Sequence, residues 1–175
     1  MNVIGLGKAG CAIAKSMSQY PQYTTYMIDN GVKGTRCFNF PAYDHPEEYE
    51  SKAPDMTKFF KKVDGDVIFV LCGASKIAGA CLKILEHLKH CKVTVVYIKP
   101  NLDTLEDIKV KMHRVCFGVL QEYARSAVFE RIVIIENIYF SDGNRLQPLQ
   151  YGASTFHRSM HCTGCVNENA HYEET

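Results

Sequence analysis

Three features of the sequence predict an α/β fold with a doubly wound, mostly parallel sheet. Short aliphatic and β-branched runs at 2–6, 23–28, 67–71, 93–98 and 132–135 alternate with stretches of helical periodicity, the pattern of strands joined by crossover helices. Two of these runs lead into glycine turns followed by helix-forming residues. The run Val67-Ile68-Phe69-Val70-Leu71 has no polar position, as expected of a parallel strand covered on both faces. Parallel strands take right-handed crossovers, and ligands bind such sheets at the carboxyl ends of the strands. The loops at Gly5, Asp29, Gly73, Lys99 and Glu136 are expected along that edge.

Taken in order, residues 2–6 pass into Gly5-Leu6-Gly7-Lys8-Ala9-Gly10, and Cys11 to Met17 favour a helix that Pro21 stops. Asp29-Asn30-Gly31 supplies turn chemistry after the second strand. Residues 31–46, with Gly31, Gly34, Pro41 and Pro46 and no periodicity, read as a loop; 47–62 reads as charged and partly helical, interrupted by Pro54. After Gly73, the positions Ile77, Cys81, Ile84, Leu85 and Leu88 follow helical spacing. Lys99-Pro100-Asn101 closes the strand at 93–98. Asp103 or Thr104 is the expected cap of a long helix with the stripe Leu105, Ile108, Met112, Val115, Cys116, Val119, Leu120 and Tyr123. Ser141-Asp142-Gly143-Asn144 is a turn after the last core strand. The organisation is one domain over 1–150 and a polar tail containing His and Cys over 151–175.

A chain of 175 residues buries an adequate core without metal or disulfide staples. Its formal net charge of +1 supplies no field to gather nucleic acid or an anionic membrane, so neither is expected as a partner. Met1-Asn2-Val3-Ile4 runs straight into a strand without a basic stretch and apolar leader, so no secretory leader is expected, and no apolar run reaches the roughly 20 residues that span a bilayer. Of eight cysteines, Cys11, Cys72, Cys81 and Cys116 fall at apolar positions of strands or helices, where a thiol behaves as a small hydrophobe. The expected location is a reducing cytoplasm.

A glycine turn between strand and helix suits phosphate, because missing Cβ atoms admit backbone amides and the helix N-terminus is electropositive. Gly5, Gly7 and Gly10 form the pattern GxGxxG, and Asp29 follows Gly10 by 19 residues at a strand end, where dinucleotide folds hold a ribose. NAD in a Rossmann domain is one reading of these residues. Glycines that merely permit tight packing of strand and helix are the other.

Four segments together resemble the nucleotide-binding domain of the FtsZ/tubulin family. VIGLGKAGCAIAKSM is similar to that family's first loop and helix, DVIFVLCGASKIAGACLKIL to its fourth strand, glycine-rich loop and helix, and VTVVYIKPNLDTLED to the next strand with its Lys-Pro exit. IVIIENIYF falls where the family has a strand ending in Pro-Asn or similar. The resemblance covers about residues 2–140 and implies a Rossmann-like, tubulin-type fold with GTP or GDP as cofactor. Its nucleotide-binding candidates are Gly5, Gly7, Lys8, Ala9, Gly10, Cys11, Asp29, Asn30, Gly73, Ala74, Ser75, Lys76, Gly79 and Asn137. Where the family carries GGGTGTG, this chain has Ala74-Ser75-Lys76-Ile77-Ala78-Gly79-Ala80. Ile77 and Ala78 put Cβ atoms where amides meet phosphate, and Lys76 offers charge in exchange. The family's hydrolysis-completing acidic loop and second domain do not fit before Thr175, so the expectation is a degenerate pocket that does not hydrolyse. Members of the family are typically assembly proteins, some encoded by bacteriophages. The resemblance therefore implies protein partners in a larger assembly or homo-oligomer, in the cytoplasm or in a viral particle.

The remaining constellations are weaker. Cys162 and Cys165, with His157, His161 and His171 nearby, make a half-site for tetrahedral zinc, but no second pair arrives from a separate segment, and adjacent His161 and Cys162 do not easily share one ion. A redox role for that pair lacks the helix N-terminus it needs. Lys58, Lys61 and Lys62 beside Phe59 and Phe60 fit a helix that buries its rings and solvates its amines. His87, His90 and His113 lie on expected helices without a matched nucleophile or acid and read as surface or packing residues. No catalytic group is expected. Three functions remain: a structural or assembly domain with a degenerate GTP pocket, a GTP-binding switch that uses Lys76, and an NAD-binding Rossmann protein.

Overall fold

The computed structural model of the chain describes residues 1–136, 140–142 and 145–147. The elements are β1 (Asn2–Leu6), α1 (Gly7–Met17), β2 (Thr24–Asp29), β3 (Cys37–Asn39), α2 (Pro46–Ser51), α3 (Thr57–Phe60) and β4 (Asp66–Cys72). There follow a 3-10 turn (Lys76–Ala80), α4 (Cys81–His87), β5 (Lys92–Lys99), a second 3-10 turn (Leu102–Thr104), α5 (Asp107–Arg125) and β6 (Arg131–Glu136). A short pair closes the order, β7 (Phe140–Asp142) and β8 (Arg145–Gln147). The first six strands form one sheet in the order β3-β2-β1-β4-β5-β6. Every pairing in it is parallel; β7 and β8 pair antiparallel. This is the Rossmann-like α/β fold that the alternating pattern predicts, and its order reverses between β1 and β4.

The period of two along the strands divides the core into two layers. Val67, Phe69 and Leu71 of β4 face a large cluster with Ile4, Leu6, Val93, Val95 and Tyr97, closed by Tyr49, Phe60, Ile84 and Leu120 from the helices and by Met56 and Leu88 at helix ends. Ile68 and Val70 face the other side with Val3, Val96 and Val133, where Ile13, Ala14 and Met17 of α1 cover them. A strand apolar at every position is thus a strand with helices over both faces.

Four expectations are corrected in detail. The stretch 31–46 holds the edge strand β3, which pairs Met27 with Cys37 and Asp29 with Asn39; three residues are too few for a readable alternation. The helix expected from Ile77 begins as a 3-10 turn and becomes α-helical at Cys81. Neither Asp103 nor Thr104 caps the long helix. Asn101 instead accepts a hydrogen bond from the Asp103 amide and caps the short 3-10 turn, and α5 starts only at Asp107. Finally, Phe60 is buried but Phe59 only half so, ringed by Tyr26 and Phe38. Asn137, His157, His161, Cys162, Cys165, His171 and the tail over 151–175 lie outside the described residues.

Candidate functional site

The carboxyl ends of β1 and β4 meet at the switch point, and glycines govern how closely. β1 passes into α1 with no intervening loop, and Gly7 takes φ +70°, a left-handed conformation that favours glycine. A Cβ on Gly7 would lie 3.0 Å from Ile77 Cγ2 and 3.4 Å from Ser75 Oγ. The first glycine turn and the Ala74–Ala80 loop are therefore close neighbours, and the group nearest the missing Cβ of Gly7 is the buried side chain of Ile77. The Ser75 hydroxyl donates to the Cys72 carbonyl at 3.1 Å, tying the loop back onto its own strand.

The other glycines of both loops serve packing. A Cβ on Gly5 would meet the Gly10 carbonyl oxygen at 2.3 Å, and one on Gly10 would meet the Val70 carbonyl oxygen at 2.4 Å, so these two let α1 lie directly on β1 and β4. A Cβ on Gly73 would meet the Tyr97 hydroxyl at 2.0 Å, and one on Gly79 the Pro46 carbonyl at 2.2 Å. Gly73 and Gly79 keep ordinary φ values, so what they contribute is an absent side chain and not a special backbone.

Under Gly73 sits a polar pair that residue types alone do not reveal. The Tyr97 hydroxyl hydrogen-bonds His113 Nδ1 at 2.7 Å, and the His113 ring stacks on Phe117. Both residues are buried. Burial drives the Tyr97 phenol far above its ordinary value, with nearby Cys116, Cys72 and Cys81 adding to it. Burial likewise holds the His113 imidazole below its ordinary value, helped by Lys99 and Arg114. The pair anchors α5 to β5 and to the β4 exit.

At the exits of β2 and β1 the candidate polar groups are engaged within the chain. Asp29 Oδ1 accepts from the Asn30 amide at 2.9 Å. The Asn30 side chain donates to the carbonyls of Phe40 and Pro41 and accepts from the Tyr49 hydroxyl, locking the β2 exit to the segment after β3. Cys11 Sγ lies 3.4 Å from the Gly5 carbonyl and 3.5 Å from that of Ile28; burial chiefly, with Asp29 and Cys37 adding, pushes its thiol up to about 12. It is a packing thiol, unsuited to nucleophilic work. Lys8, Ala9 and Lys76 are exposed along the same edge, and among the described residues neither lysine has a carboxylate within 4.0 Å. Lys99 pairs with Glu136 at 2.8 Å across the ends of β5 and β6.

A cavity of about 290 Å³ opens beside the β4 exit, between α2, the first 3-10 turn and α5. Gly73, Ser75 and Gly79 border it, but its walls are Ala78, Leu82, Met112, Val115 and Val119, with Glu47, Glu50 and Lys111 also lining it. Aliphatic walls with two carboxylates and one amine are poor company for a triphosphate, which takes converging amides and cations. The structure thus brings Gly5, Gly7, Gly10 and Cys11 together with Ser75 and Ile77 at the switch point, while Gly73 and Gly79, at the two ends of the second loop, border this cavity. Among the described residues no helix is long and apolar enough to cross a membrane. The described cysteines Cys11, Cys37, Cys72, Cys81, Cys91 and Cys116 are all free thiols. No protein-family model matches the chain, and no curated protein matches it significantly.

Proposed function

We propose that this chain is a reduced FtsZ/tubulin-like domain that acts as a structural or assembly component, with a phosphate loop that has closed and does not turn over nucleotide. The observation that carries the reading is Ile77. Its side chain fills the space over Gly7 at the switch point, the place where a phosphate approaches the first turn of the helix in folds of this order. The glycines that resemble phosphate-loop glycines are committed to contacts with Val70, Tyr97 and Pro46, and the adjoining cavity is aliphatic. A fold kept with its ligand space occupied by its own side chains is a scaffold. Free thiols suit a reducing cytoplasm, and its partners are other proteins or further copies of itself.

A second reading has its own observation. Lys8 and Lys76 are exposed at the two turns and carry no carboxylate partner among the described residues, so a nucleotide lying outside the closed loop would meet two cations there. The test is titration of the purified full chain with GTP, GDP and NAD, followed by turnover and sedimentation assays. The scaffold reading expects no saturable nucleotide binding and no phosphate release, with concentration-dependent assembly. Saturable GTP binding weakened about tenfold or more by Lys76→Ala would replace it with the switch reading, and saturable NAD binding with the dinucleotide one.

A further inference from the structure

At the opposite, amino-terminal edge of the sheet, two turns bring three metal-ligand types together, and this feature is independent of the nucleotide question. We propose that Asp64, His90 and Cys91 form a site for one zinc-class divalent cation that clamps the turn before β4 to the turn before β5. The Asp64 carboxylate, a His90 ring nitrogen and Cys91 Sγ lie within 4.8 Å of one another. Tetrahedral zinc with ligand bonds of about 2.0–2.3 Å sets its donor atoms roughly 3.5 Å apart, so side-chain movements of about 1 Å complete the set. Asp64 and His90 are exposed, and Cys91 is half-buried behind them. Three protein donors leave a fourth position for water.

The backbone around the three is already fixed. The Gly65 amide donates to Asp64 Oδ1 at 2.8 Å, and Asn2 Nδ2 to the Asp64 carbonyl at 2.7 Å. The Cys91 amide closes a tight turn on the Leu88 carbonyl at 2.8 Å, and the Lys92 amide joins the two turns through the Gly65 carbonyl at 3.0 Å. The donors of the consecutive residues His90 and Cys91 converge within 4.8 Å, and the third donor comes from a separate segment. His90 Nε2 lies 3.0 Å from the Val63 carbonyl. A carbonyl only accepts, so Nε2 carries the proton and the lone pair rests on Nδ1; a carbonyl on the far nitrogen is the usual outer partner of a metal-bound imidazole. Cys91 Sγ is 3.8 Å from the same carbonyl, and burial with the neighbouring Asp64 charge raises its thiol above the ordinary value. A bound dication neutralises that field and displaces the thiol proton to solvent.

The test uses metal-stripped full-length protein carrying Cys162→Ser and Cys165→Ser, so that the tail thiols contribute nothing, titrated with Co²⁺. The expected result is one equivalent bound, with a thiolate-to-cobalt charge-transfer band in the near ultraviolet, visible bands of a four-coordinate ion, and bleaching of both by Zn²⁺. Cys91→Ser in that background removes the charge-transfer band. His90→Ala, a change at an exposed position that leaves the fold in place, weakens binding about tenfold or more, as does Asp64→Asn. Absence of a saturable band in the parent, or a band unchanged by Cys91→Ser or His90→Ala, overturns the site.

Discussion

Replacing Gly10 by Ala separates a glycine kept for packing from one kept for a ligand. The new Cβ would lie 2.4 Å from the Val70 carbonyl oxygen and 3.2 Å from the Gly5 carbonyl carbon, both backbone atoms of interior strands. β1 is hydrogen-bonded to β2 and β4 on its two sides, and β4 to β1 and β5, so the sheet cannot recede. Restoring ordinary contact at 3.4 Å requires α1 to rise by about 1.0 Å, which loosens Ile13, Ala14 and Met17 from Val3, Ile68 and Val70. Overpacking of this kind costs about 3 kcal/mol at the upper end of its usual range, and the better helix propensity of Ala returns about 1 kcal/mol, leaving a net loss of about 2 kcal/mol. For a chain of this size that is a fall in Tm of roughly 4–8 °C. Urea denaturation followed by circular dichroism reads it as a lower midpoint at unchanged slope. A Gly10→Ala protein as stable as the parent would refute the packing account.

Other outcomes follow from the same contacts. Gly118 in α5 has open space where its Cβ would go, so Gly118→Ala is expected to stabilise by about 0.5–1 kcal/mol, read as a raised urea midpoint; a lowered midpoint contradicts this. Tyr97→Phe leaves buried His113 Nδ1 without its 2.7 Å partner and is expected to cost about 1–3 kcal/mol, a loss that thermal unfolding detects. The folded state holds the His113 imidazole below its ordinary value, so near and below pH 6.5 the unfolded chain binds more protons there than the folded one. The stability from neutral His113 is thus full above pH 6.5 and lost as pH falls through 6.5 toward the lower folded value. Between pH 7.5 and 5.5 the parent should lose more stability than His113→Gln, and equal losses would remove His113 as the cause. The Cys11 thiol, pushed up to about 12, should resist iodoacetamide at pH 8 in the native protein and react only on unfolding, as peptide mass mapping would show.

Most of the strand-and-helix alternation was legible because the longer strands carry a compositional mark, as in the largely buried aliphatic runs of β4 and β5; of the stripe expected on α5, Leu120 is buried, but Leu105 precedes the helix and Ile108 and Val115 are exposed. β3 was illegible because Cys37–Asn39 is short and its pairing depends on the Asn30, Asn39 and Phe40 contacts, which are nonlocal. Glycine positions were readable, but not their purpose. The pattern GxGxxG looks the same whether the missing Cβ admits a phosphate or, as at Gly10, a carbonyl of the next strand. That Ile77 brings a branched side chain to the second loop was visible in the residue itself, whereas its seat beside Gly7 needed the fold. The Tyr97–His113 pair joins residues 16 apart on a strand and a helix, and Asp64 meets Cys91 across two turns. No periodicity connects either set, and His90, which the sequence places on a helix as a surface or packing residue, lies in the turn after α4.

The central claim is a nucleotide-type fold whose phosphate space is filled by its own side chains. It is tested most directly by purifying the protein without added nucleotide, denaturing it, and identifying by chromatography what it releases. The account predicts no stoichiometric nucleotide. GTP, GDP or NAD released at about one per chain would contradict it, because a resident ligand would show that the seat of Ile77 beside Gly7 leaves the site open.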